Sequence, residues 1–189
     1  MTGLGNLIRR DCKLFFKDKG MFFASLITPI ILLVLYATFL ASVYRNSFVS
    51  ALPDFMKISD DLINGTVGGE LFSSLLAVSC ITVSFCCNMI MVQDKVTGAR
   101  GDLTVTPVKN SALALGYYAA TLISTLLVCV IATGACLIYL SATGWYMSAG
   151  DVLLVLLDVF LLVLFGTALS SIVNSFLTSQ GQISAVGTV

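Results

Sequence analysis

The chain has 189 residues, 58% of them hydrophobic and 11% charged, with ten basic and ten acidic side chains and no histidine. A soluble domain has roughly a quarter of its residues charged, so this composition excludes an ordinary globular domain and points to a polytopic membrane protein. The missing histidine removes the commonest general base and metal ligand, which weakens an enzymatic reading, while the zero net charge hides an uneven distribution along the chain.

Arg9, Arg10, Lys13, Lys17 and Lys19 place half of the positive charge in the first twenty residues. Written as a helix over 4–19, Leu4, Ile8, Cys12, Phe15 and Phe16 share one face, and Arg10, Lys13 and Lys17 share the other. That pattern predicts an amphipathic helix lying on membrane lipid at the cytoplasmic surface and ended by Gly20; the alternative is a solvated basic leader that only sets topology. Residues 21–44 are uncharged and long enough to cross about 30 Å of hydrocarbon, with Pro29 placing a kink in the first half. The segment 45–70 holds Asp54, Asp60, Asp61 and Glu70 against Arg45 and Lys57, so it is expected outside, with Gly65, Gly68 and Gly69 forming a turn into the next span.

The second span, 71–92, carries Ser73, Ser74, Ser79, Thr82, Ser84 and Asn88. Hydroxyls can bond carbonyls of their own helix, whereas an amide at the inner end of a span needs a partner on another helix. A polar island at 93–109 follows, with Lys95, Arg100 and Lys109 directing it to the cytoplasm. Val96, Ala99, Leu103 and Val105 fit one small amphipathic helix, punctuated by Gly98, Gly101 and Pro107, and the island reads as a surface gripped by another molecule.

The third span, 111–143, presents Ala112, Gly116, Ala120 and Ser124 every fourth residue, a stripe along which another helix can come close. Gly144, Trp145 and Tyr146 mark an interface, and Asp151 closes a short outer loop at 144–151. The fourth span, 152–177, contains Asp158 about two turns from its outer end, with Gly166, Ser170 and Asn174 as a second small-residue stripe. An intramembrane acid either lines a path or makes a structural hydrogen bond, so Asp158 joins Asn88 and Asn174 as a pathway or inter-helix candidate. Residues 183–189 begin a further apolar run, and the reading expects more spans beyond the present end. The six cysteines fall in spans or the leader and are expected as free thiols; neither a metal set nor a catalytic residue can be assembled from these side chains.

The inner loop offers Asp94, Thr97, Gly98, Leu103, Thr106 and Pro107 before a span opening Ala112-Leu113-Ala114-Leu115-Gly116-Tyr117-Tyr118, and the fourth span contains Gly166-x-x-Leu169-Ser170. With the basic leader and acidic outer segment, this order of parts resembles the ABC-2 type permeases of ABC exporters. Relative to the usual pattern, Asp94 replaces a glutamate and the Gly-Thr pair is reversed to Thr97-Gly98. The resemblance implies an all-α integral membrane fold: an N-terminal interfacial helix, four transmembrane helices and the start of a fifth, together one partial transmembrane domain over 1–189.

The same resemblance implies a function. The chain would be the permease subunit of an exporter in the plasma (inner) membrane, multi-pass with a cytoplasmic N-terminus, moving an unidentified substrate outward. It would pair with a second permease copy or homologue and dock a separate ABC ATP-binding subunit. ATP and Mg would be held by that partner, since no P-loop occurs here. Asp94, Lys95, Val96, Gly98, Arg100, Leu103, Val105 and Pro107 would form the coupling interface, and Arg9, Arg10, Lys13, Phe15 and Lys17 a connecting helix. A non-transporting scaffold or sensor that recruits a cytosolic protein is the alternative, and nothing calls for nucleic acid.

Overall fold

The structure is a computed structural model and describes residues 2–51, 59–105, 109–143, 148–179 and 181–182. Helix α1 (Thr2–Lys17) leads into α2 (Lys19–Leu35), a π-helical turn (Tyr36–Leu40) and α3 (Ala41–Ala51). Then come α4 (Asp60–Val96), short α5 (Ala99–Val105), α6 (Asn110–Thr143) and α7 (Ala149–Phe176). Four stretches are long and apolar enough to cross a membrane, namely Lys19–Ala51, Leu62–Val96, Asn110–Ser141 and Ala149–Phe176. The chain is thus an all-α membrane protein among its described residues; the expected fifth apolar run at 183–189 lies outside them.

The helices overrun the uncharged segments. Asp18 caps α2 by accepting from the amides of Gly20 and Met21, so the turn into the first span is made by this side chain and Gly20 is already helical. Helix α4 starts at Asp60, behind an N-cap Ser59, and runs straight through Gly65, Gly68 and Gly69 where the sequence suggested a turn. Gly68 has a packing reason to be there: a Cβ would lie 3.0 Å from Leu140 Cδ1 and 3.6 Å from the Tyr36 hydroxyl. Asp151, expected in a loop, belongs to the first turn of α7, where it forms a reciprocal capping box with Ser148. At 1.5 Å per residue the 37 residues of α4 span about 55 Å, well beyond a hydrocarbon core of about 30 Å.

Helix α4 is the central element, packed against α7, α6 and α2. Its Leu76, Cys80, Val83, Cys87 and Ile90 recur every three or four residues and meet Val128, Cys129 and Cys136 of α6 and Val159 and Val163 of α7. Lipid tails are as apolar as these side chains, so close packing has to hold the helices together. The small residues supply it. A Cβ on Gly166 of α7 would lie 2.7 Å from Ser84 Oγ, and one on Gly116 of α6 would collide with Leu7 of α1. The stripe of Gly116, Ala120 and Ser124 therefore receives α1, which buries Leu7, Asp11 and Phe15.

Candidate functional site

At the end of the bundle that carries α1 and α5, three helices are tied by one buried carboxylate. Asp94, in the last turn of α4, is 6% exposed and accepts two bonds from the Arg10 guanidinium of α1, at 2.9 and 3.2 Å. It also accepts from the Tyr117 hydroxyl of α6 at 2.7 Å. A fork-to-fork pair of this kind fixes orientation as well as distance, so α1 has one seat on α4 and α6. Arg10 further donates to Asp11 at 3.1 Å. Burial opposes the charge on Arg10, but the bond and charge of Asp94 outweigh it and raise the guanidinium above its ordinary pKa.

Asp11 is the strained member of this group. It is 1% exposed, one of its oxygens has no partner among the described residues, and burial pushes its carboxyl up to about 6 against the pull of Arg10. With Tyr117, Thr121, Ser124, Ala120, Cys87 and Ile90 it lines a cavity of about 10 Å³. Asp11 is not singled out by the sequence motif, and Tyr117 stands in the stretch that opens the third span without a role attached to it. A signal did exist: the buried row of α1 at 7, 11 and 15 reads Leu-Asp-Phe, an acid interrupting an apolar stripe on a basic helix.

The residues after Asp94 are also used inside the chain. Lys95 donates to the carbonyls of Asn174 and Ser175, both at 2.9 Å, and of Leu177 at 3.2 Å, closing the end of α7 where carbonyls have no helical donors. One turn or two deeper, Asn88 donates to Ser170 at 3.3 Å and Ser171 at 3.1 Å, and accepts from Thr121 at 3.4 Å. The amide thereby joins α4, α6 and α7. Asn174 is buried but its Nδ2 has no partner among the described residues, and Asp158 stands exposed on α7, away from this cluster.

The sequence reading placed Asp94 and Lys95 on a surface that orients another subunit. Within this chain both side chains have partners of their own, because a half-buried guanidinium and a bare helix end lie within hydrogen-bond reach. The outward-facing part of the island begins beyond them. Thr97 closes α4, Gly98 adopts a φ of +81°, a conformation that favours glycine at a helix C-terminus, and α5 begins at Ala99. Val96 is 46% and Val105 88% exposed, Arg100 and Asp102 are exposed, and Leu103 is half-buried against the core. Pro107 lies outside the described residues. On α1, Phe15 is buried against Phe16 and Phe22, while Arg9, Lys13 and Lys17 point away from the bundle.

Among the described residues no group of three or more His, Cys, Asp or Glu side chains could hold a metal, and all six cysteines are free thiols. Comparison with curated proteins and with solved structures finds no match to the chain. A family model described as ABC-2 type transporter does match, over residues 2–189. With four membrane-length helices and that match along nearly its whole length, the chain belongs to the ABC-2 type transporter family, as a membrane-spanning permease subunit that is not itself catalytic.

Proposed function

We propose that this permease moves a substrate outward across the plasma (inner) membrane, driven by ATP hydrolysed in a separate ATP-binding subunit that grips α5. Asp102, Arg100, Val96 and Val105 form the docking face, with ATP and Mg held by the partner, and two permease copies or homologues pair to enclose the path. The N-terminus and the island are cytoplasmic in this reading, consistent with the lysines and arginines gathered on α1, α4 and α5 at one end of the bundle.

One observation carries the reading. A helix of seven residues with an 88% exposed valine sits on a glycine joint beside an α4 terminus that is bonded to α1, α6 and α7. The exposed apolar residue suits a partner's groove, and the bonded terminus suits the transfer of a push, because a rigid contact can bias a two-state bundle. Asp94 and Lys95 act here as the inner links of that transfer.

Val105→Asp is the sharper test, since Leu103 also packs within the chain. The full-length permease is purified in mild detergent, its bound proteins are identified by mass spectrometry, and ATP-driven transport is followed in vesicles. Loss of a co-purifying ABC ATPase and of transport, with normal membrane insertion, supports the reading. Undiminished transport in Val105→Asp removes α5 from the mechanism. Recovery of a cytosolic partner that is not an ATPase shifts the assignment to a recruiting scaffold.

A further inference from the structure

The outward face of α1 has a use that docking on α6 does not absorb. Leu7, Asp11 and Phe15 turn to the bundle. On the opposite side Arg9, Lys13 and Lys17 follow one another at intervals of one helical turn, all exposed. Together with Asn6, Arg10 and Leu14 they line an open groove of about 490 Å³. The acid of α1 does not neutralise them: among the described residues its ion pairs are those of Arg10 with Asp11 and with Asp94. Asp18 is engaged in capping α2.

Two features separate this row from a solvated basic face. Leu14 and Phe16, each 40% exposed, border it on its two sides, so apolar groups flank the charges where water alone would gain nothing from them. The row also lies next to the first span. One residue separates Lys17 from α2, which opens a membrane-length stretch and brings Phe22 and Phe23 by the end of its first turn, so with that stretch in the bilayer the cations fall near the boundary between hydrocarbon and water. A basic row at that height, with apolar edges, complements a phosphodiester above an acyl chain.

We infer that Arg9, Lys13 and Lys17 form a binding groove for the headgroup of an anionic phospholipid, with Leu14 and Phe16 against its acyl chains. The inference rests on the membrane-spanning permease reading but not on the ATPase partner. Held lipid would fix α1 from outside while Arg10 and Asp94 fix it from inside, so the leaflet's composition would bear on how firmly α1 is seated.

The test uses the full-length permease, with any co-purifying subunit, in vesicles of phosphatidylcholine containing phosphatidylglycerol. Spin-labelled versions of each lipid report the fraction immobilised by the protein. The expected result is a preference for phosphatidylglycerol on the order of fivefold at low salt, about what one well-placed cation confers near an anionic surface, and a fall toward parity at high salt. Arg9→Gln/Lys13→Gln/Lys17→Gln should abolish the preference, and Lys13→Arg/Lys17→Arg should keep it. Equal immobilisation of the two lipids by the native protein, or an unchanged preference in the triple glutamine variant, overturns the inference. ATPase capture is scored on the same samples. If the triple variant loses the ATPase yet keeps its lipid preference, the row belongs to that partner and the lipid site is wrong; if it loses the preference and keeps the ATPase, both the lipid site and the permease reading stand.

Discussion

The two ends of the bundle are held by different forces. At the end bearing α1 and α5, Asp94, Lys95 and Asn88 make directional bonds that join α1, α4, α6 and α7 within a few turns. Toward the other end, α2 and its π-helical turn meet α4 and α6 through Tyr36 packed edge-on against Tyr139, at 5.7 Å, and through Gly68 against Leu140. Charge-assisted bonds are either made or broken, whereas aromatic and aliphatic contacts tolerate sliding. The difference teaches where a signal can enter. A pull on α5 meets a latch at once, and farther along α4 the packing can yield by degrees.

Breaking the latch should give the largest effect. Asp94→Ala leaves Arg10 half-buried with Asp11 alone and strips the Tyr117 hydroxyl of its acceptor, a loss of about 4 kcal/mol on the scale of one-sided disruption of a buried pair. Hydrogen exchange should show the amides of residues 2–17 losing on the order of a thousandfold in protection, with the Tyr36 region unchanged. A drop of equal size at both ends would erase the distinction between them. Asp11 comes next, with the opposite sign. Its folded carboxyl titrates near 6, above the ordinary value, so the docked state prefers it protonated. That contribution is complete below about pH 4 and is lost as the pH rises through about 6, which makes α1 more firmly seated in mild acid than at neutrality. Asp11→Asn should flatten this dependence and strengthen the seat at neutral pH by on the order of 2 kcal/mol, read from the same α1 amides at a series of pH values. A native α1 whose protection is flat across that range would contradict the buried, half-satisfied carboxylate.

Much of this was legible in the chain. The four spans follow from apolar runs too long for anything else, and the stripe Gly116, Ala120, Ser124 announced a close neighbour without saying which; its occupant is α1, whose Leu7 no periodicity argument could pair with Gly116 across more than a hundred residues. Charge does not end a helix here: α4 and α7 run past the uncharged segments because Ser59 and Asp151 are acceptors that start one. Asn88 was marked as needing a partner, and Ser170, Ser171 and Thr121 supply it. The latch itself was half visible. Asp94 and Arg10 both stood out as charges, but each was placed on an outward face, because sequence spacing carries no information on which charges meet across helices.

A smaller and more local effect is expected at the end of α7. Lys95→Met removes the donors that close three carbonyls there, with Asn174 already short of a partner. A charged donor of this kind is worth about 2 kcal/mol, so the amides of residues 171–177 should exchange roughly thirtyfold faster while α1 stays protected. If α1 loosens as well, the seat and the α7 cap are one unit, and the latch extends across the whole end of the bundle.

The opposite end supplies the smallest change and the sharpest contrast. Tyr36→Leu deletes the edge-on contact with Tyr139 and leaves space beside Gly68, yet Leu32, Leu33 and Leu40 pack nearby and can close part of it. The aromatic pair contributes about 1 kcal/mol beyond its area, so exchange in residues 36–40 and 136–140 should quicken by about fivefold and the Arg10–Asp94 seat should not respond. A tolerant region is defined by such independence. Should Tyr36→Leu instead release α1 as Asp94→Ala does, α4 would be carrying strain along its full length, and the π-helical turn at Tyr36–Leu40 would have to count as part of the latch.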